Sequence, residues 1–250
     1  VVEAGSHWFW ATSEHSIRAL NKFSGNYQGC QFALHAPADR SAEGIQFSFP
    51  DRERAFLTSE DVRGVMSEGG FTLEEKRFLN EQTQLDVAFV HLDEFYADQL
   101  KVAGVSPFKA EDVWQNYHES AYSRLSETGG VAFFFAGVPA SSIRLAASGV
   151  PESWTYKFLP IMFDSVEEPT ILFRPMWESL AHEGSVLGMS GGPVVGVSFS
   201  SQAVYWFGVQ SRELSLFGSL EKLRVAPATF AYQVMRNMVG LEDEEELRLD

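Results

Sequence analysis

Gly188-Met189-Ser190-Gly191-Gly192-Pro193-Val194-Val195-Gly196-Val197 sets a serine between glycines and runs directly into a β-branched stretch. Glycines permit the backbone to curl tightly enough for successive amides to point at one spot. The Val-rich run after Pro193 favours a strand over a helix. The core of the stretch also satisfies G-x-S-x-G, the mark of a sharp strand-to-helix turn whose serine takes its acid and its histidine from later in the chain. That arrangement requires a helix after the serine and a histidine beyond it. A strand pattern follows instead, and the last histidine, His182, precedes Ser190. The serine therefore sits on a loop leading into a strand, and any histidine partner it has lies upstream.

On either side of this stretch, strand signals dominate. Trp8–Thr12, Leu85–Leu92, Val131–Ala136, Tyr156–Phe163, Thr170–Phe173, Pro193–Phe199 and Ala203–Gln210 are short apolar or alternating runs with turn residues between them, the pattern of a sandwich or barrel. Helical signals are fewer. Thr72-Leu73-Glu74-Glu75 has the form of a capping box, residues 109–125 carry Val113, Tyr117 and Tyr122 near helical spacing, and Phe230, Val234, Met235 and Met238 make an amphipathic helix of residues 228–239. The expected organisation is a β subdomain over 1–105, a helical connection over 106–127, a second β subdomain over 128–225, and a C-terminal helix with an acidic tail over 226–250.

The chain of 250 residues carries 34 acidic against 19 basic residues, a net charge of −15. Nucleic-acid binding needs clustered Lys and Arg, and no such cluster is present, so no nucleic-acid partner is expected. No apolar run approaches the length of a membrane span, so no membrane partner is expected either, and the segment from Val1 onward shows no charged-then-apolar leader pattern. Cys30 is the single cysteine and allows no intrachain disulfide, which fits a reducing compartment. No group of His, Cys or carboxylates has metal-ligand spacing, so neither a metal nor another cofactor is expected.

A serine hydroxyl needs an adjacent base to act as a nucleophile. Gly188-Met189-Ser190-Gly191-Gly192-Pro193 resembles the nucleophile motif of chymotrypsin-like serine peptidases. Asp86-Val87-Ala88-Phe89 is similar to the family's strand that begins with the catalytic aspartate; Asp93 lacks this form. Gly5 to Ile17 has the outline of the strand leading to the catalytic histidine, with Thr12-Ser13-Glu14-His15 in place of the usual Thr-Ala-Ala-His and with an acidic residue beside the histidine. Gly137-Val138-Pro139 and Trp206–Ser211 resemble further family segments. The resemblance touches about a third of the chain and implies a mostly-β fold of two six-stranded barrels with helical insertions and a C-terminal helix. It implies His15 as general base, Asp86 as the acid that orients it, Ser190 as nucleophile, and the N–H groups of Gly188 and Ser190 as the oxyanion hole. His35 is the alternative base.

Gly184, Gly208, Val209 and Gln210 are the expected substrate-binding residues, the last three by pairing with a peptide. Gly184 stands where trypsin-like members carry a specificity aspartate, so cleavage after Lys or Arg is not implied. Met189 replaces the aspartate that pairs with a new N-terminus in zymogen-derived members. The expected function is a serine endopeptidase, disulfide-free and of bacterial, cytoplasmic type. It would act on polypeptides, with a regulatory protein as a candidate partner. The alternatives are a protease-fold scaffold without turnover and an esterase using the same triad.

Overall fold

The computed structural model describes residues 1–13, 31–34, 45–48, 56–57, 85–115, 125, 130–145, 151–153, 155–167, 170–176, 186, 189–216 and 219–241. In chain order these form β1 (Val2–Ala4), β2 (His7–Ser13), β3 (Gln31–Leu34), β4 (Ile45–Ser48), β5 (Phe56–Leu57), β6 (Val87–Leu92), α1 (Glu94–Val102), β7 (Val131–Gly137), β8 (Arg144–Leu145), β9 (Pro151–Ser153), β10 (Lys157–Glu167), β11 (Thr170–Pro175), β12 (Pro193–Ser198), β13 (Val204–Leu216), β14 (Ser219–Pro227) and α2 (Ala228–Met238). The capping-box segment at residues 72–75 lies outside the described residues.

The second half closes into a six-stranded barrel in the order β10-β11-β14-β13-β12-β7. Its interior is filled by alternate residues of each strand: Phe133 and Phe135 from β7, Leu159 and Ile161 from β10, Ile171 and Phe173 from β11, Val194 from β12, Phe207 from β13, and Leu223 and Val225 from β14. The described residues of the first half give a four-stranded sheet, β1-β2-β6-β5, with β3 and β4 paired separately. The fold is thus mostly β, with a closed barrel, a second sheet and few helices.

A second apolar cluster joins the two halves. Val2, Ala4, Phe9, Val87 and Phe89 of the sheet meet Trp206, Val209 and Ala226 of the barrel, and α2 packs Phe230, Ala231, Val234 and Met235 against them. Phe9, Phe89 and Trp206 are almost wholly buried, each burial contributing on the order of 2–3 kcal/mol. The outward face of β13 therefore docks the sheet while its inward face fills the barrel. No helix among the described residues is long and apolar enough to cross a membrane.

The helix expected over 109–125 starts differently. Ala110–Asp112 is a single 3-10 turn, after which Val113 bridges to Trp206 and the Trp114 N–H donates to the Trp206 carbonyl at 3.0 Å. Trp114 stacks on Phe207 with ring centroids 5.0 Å apart. Contact with the barrel overrides the helical spacing here; residues 116–124 lie outside the described residues. Asp93, by contrast, opens a helix that the sequence pattern did not announce: its side chain accepts from the Tyr96 N–H at 3.1 Å and caps α1.

Candidate active site

Ser190 sits at a tight turn between the barrel and the sheet. The Gly192 N–H donates to the Met189 carbonyl at 2.9 Å, closing the turn. Two further bonds tie it to β13: the Gly191 N–H to the Gln210 carbonyl at 3.0 Å, and the Gln210 N–H to the Gly192 carbonyl at 2.9 Å. Met189 turns inward and is 2% exposed, so it belongs to the barrel interior. Ser190 itself is half-buried.

Gly191 is where the two halves touch at this turn. Its φ is +85°, in the left-handed region, and a Cβ there would collide with the Thr12 Oγ1 and come within 2.5 Å of the Ser13 N. Only glycine combines that backbone conformation with so close an approach. A Gly191→Ala substitution is expected to lower the unfolding free energy by about 2–4 kcal/mol, from left-handed strain plus the backbone collision. Urea denaturation measures this, and an unchanged midpoint would show that the turn yields freely.

Asp86 reaches the same strand end from the other side. Ser13 of β2 pairs with Val87 of β6, so Asp86 stands immediately beyond the pair. Its φ is +47°, a conformation that aspartate tolerates better than most residues. The carboxylate is largely buried, and its Oδ2 lies 3.9 Å from the Nε of half-exposed Arg212. Thr12 and Ser13 are both buried. Gly191 of the Ser190 turn and Asp86 therefore both adjoin the end of β2. His15, His35, Gly188 and Gly184 lie outside the described residues.

Gly208, Val209 and Gln210 occupy a strand with neighbours on both edges. Gly208 and Val209 pair with Val194 and Pro193 of β12 on one side and with Pro227 and Ala226 of β14 on the other. Gln210 pairs with Val225 and is bonded to the Ser190 turn as described. The backbone of Gly208–Gln210 is therefore hydrogen-bonded on both edges. Val209 is moreover buried in the cluster between sheet and barrel. Beyond Gln210, the edge of β13 that faced β12 has no partner strand among the described residues.

The remaining described histidines stand elsewhere. His91 is four residues along β6 from Val87, roughly 13 Å at the rise of an extended strand. Its Nε2 lies 3.1 Å from the His7 Nδ1, and its ring is 5.1 Å from that of Phe9. Burial first, and the charge of His7 second, push the His91 imidazole below its ordinary 6.5, against an opposing pull from Asp93. The unfolded chain then takes up this proton before the folded one does. Stability is fully present above 6.5 and declines as pH falls through 6.5 toward the lower folded value. Thermal melts across that interval should show a shallower decline for His91→Gln than for the parent chain; an equal decline would assign it to other groups.

No protein-family model and no curated protein matches the sequence. Among solved structures, the chain is similar to a thermostable serine protease from an extremophilic microorganism, at 13% identity and TM-score 0.48 over 97% of this chain and 89% of that one. It is similar to the NS6 protease from murine norovirus 1, at 11% identity and TM-score 0.35 over 91% and 89% of the two chains. It is also similar to the passenger domain of the plasmid encoded toxin, an autotransporter enterotoxin of enteroaggregative Escherichia coli, at 12% identity and TM-score 0.42; the match covers 90% of this chain but only 20% of that one.

Proposed function

We propose that this chain is a serine endopeptidase. One observation carries the reading: the Ser190 turn and Asp86 both adjoin the end of β2, through the Gly191 contact with Thr12 and Ser13 and through the Ser13–Val87 pair. His15 follows Ser13 by two residues, at most about 7 Å along the chain. A histidine at that strand end would lie between a serine and a carboxylate, which is the order of contacts that nucleophilic catalysis requires.

In this reading the Ser190 hydroxyl attacks the scissile carbonyl as His15 takes its proton. The oxyanion is held by the N–H groups of Gly188 and Ser190. His15 then protonates the leaving amine, and water hydrolyses the acyl-enzyme by the same steps. Asp86 holds the imidazole in one tautomer and stabilises its protonated form. The substrate backbone pairs along Ser211–Glu213, where β13 continues beyond its last contact with β12, rather than along Gly208–Gln210. A single cysteine fits an enzyme of a reducing compartment.

A fluorophosphonate reagent tests the assignment. The adduct, mapped by mass spectrometry of the folded protein, is expected on Ser190. Absence of an adduct at that serine, together with no cleavage across a peptide library, would leave the fold without this activity.

A further inference from the structure

Gln210 carries an anomaly that the fold itself does not use. The residue is 0% exposed, and neither its Nε2 nor its Oε1 has a hydrogen-bond partner among the described residues. Leaving a buried donor or acceptor unsatisfied costs about 1–3 kcal/mol per group, so such a group in a well-packed interior calls for a reason.

Its position supplies one. Gln210 stands directly opposite Val225, and opposed residues of neighbouring strands project from the same face. Val225 fills the barrel interior with Phe135, Val194 and Met189. The Gln210 side chain therefore enters the barrel at the end closed by the Ser190 turn, whose Gly191 and Gly192 are bonded to the Gln210 backbone. A polar head thus lies among apolar side chains beneath the nucleophile.

We infer that Gln210 selects the substrate side chain on the acyl side of the cut bond, and that the preferred side chain bears a carboxamide, as in glutamine or asparagine. The inference rests on the serine-endopeptidase reading of Ser190. The chemistry follows from what the orphaned atoms lack. An entering carboxamide offers one acceptor to Nε2 and one donor to Oε1, and satisfies both. A carboxylate satisfies only the donor and faces Oε1 with negative charge. An ammonium satisfies only the acceptor, and an apolar side chain satisfies neither. Exchanging the oxygen and nitrogen of the Gln210 amide leaves this argument unchanged. Entry requires a neighbour to move, and Met189, unbranched and adjacent to Ser190, is suited to do so.

The test compares the parent chain with Gln210→Met, which keeps length and volume but removes both polar atoms. Peptides differing only at the residue before the cut, with Gln, Asn, Glu, Lys, Leu or Met there, are assayed for kcat/KM. The parent is expected to favour Gln or Asn over Met by about 10- to 100-fold, and Gln210→Met to abolish that ratio. Because the amide has no partner among the described residues, Gln210→Met should also raise Tm, by about 2–4 °C. Cleavage without preference for Gln or Asn, or a preference that survives Gln210→Met, overturns the inference and leaves the peptidase reading standing. A lowered Tm in Gln210→Met shows a structural partner for the amide and overturns it independently of activity. Absence of both cleavage and the Ser190 adduct removes the peptidase reading, and the inference with it.

Discussion

Ser190→Ala is expected to reduce peptide hydrolysis by about 10⁴- to 10⁶-fold and to eliminate the fluorophosphonate adduct, with the protein still folded. On the proposed peptidase reading the effect is large because nucleophile, base and acid would act as a unit, and removing the nucleophile would leave only oxyanion stabilisation and binding. The fold should tolerate the change because the turn is held by main-chain bonds, from Gly192 to Met189, from Gly191 to Gln210 and from Gln210 to Gly192. None of these needs the serine hydroxyl. The stability change should stay within about 0.5 kcal/mol, read from urea melts run beside the kinetic assay. Turnover that persists in Ser190→Ala at the parent rate would show that the activity belongs to another group.

Asp86→Asn is the second large effect, expected at about 10⁴-fold in kcat with little change in KM. Asparagine accepts the left-handed conformation that Asp86 adopts at φ +47°, so the backbone entering β6 is preserved. What changes is the charge and one acceptor oxygen. An amide in place of the carboxylate can hold the imidazole in the wrong tautomer and does not stabilise its protonated form. The structural alternative makes a different prediction. If Asp86 serves only as an ion-pair partner of Arg212, at 3.9 Å and with Arg212 half-exposed, the substitution should cost no more than about 1 kcal/mol of stability and leave kcat unchanged. Steady-state kinetics and a denaturation curve on the same preparation separate the two.

Much of the strand content was legible because it depends on local patterning. The runs at Trp8–Thr12, Val131–Ala136 and Thr170–Phe173 lie on β2, β7 and β11, the run Leu85–Leu92 takes in β6 from Val87, and the amphipathic pattern near the C-terminus lies on α2 with its apolar residues in the cluster between sheet and barrel. The stretch at 109–115 misled for an instructive reason. Val113, Tyr117 and Tyr122 have near-helical spacing, but the pairing of Val113 with Trp206 and the stacking of Trp114 on Phe207 are contacts made across more than ninety residues of chain. The neighbours of Gly208–Gln210 on both edges were likewise not legible, because a strand pattern does not reveal how many neighbours the strand has.

By itself, the sequence determined that a glycine-framed serine precedes a strand, that any histidine partner must lie upstream, and that Asp86 opens an apolar strand. Each of these follows from residue type and order within a few positions of chain. Only the tertiary structure decided that the Ser190 turn presses against Thr12 and Ser13, that Asp86 stands at the same strand end, and that Gln210 is buried with its amide unpartnered among the described residues. These are properties of strand register and barrel closure. A one-residue shift in pairing would send Gln210 to the opposite face, and no local pattern in the chain specifies that register.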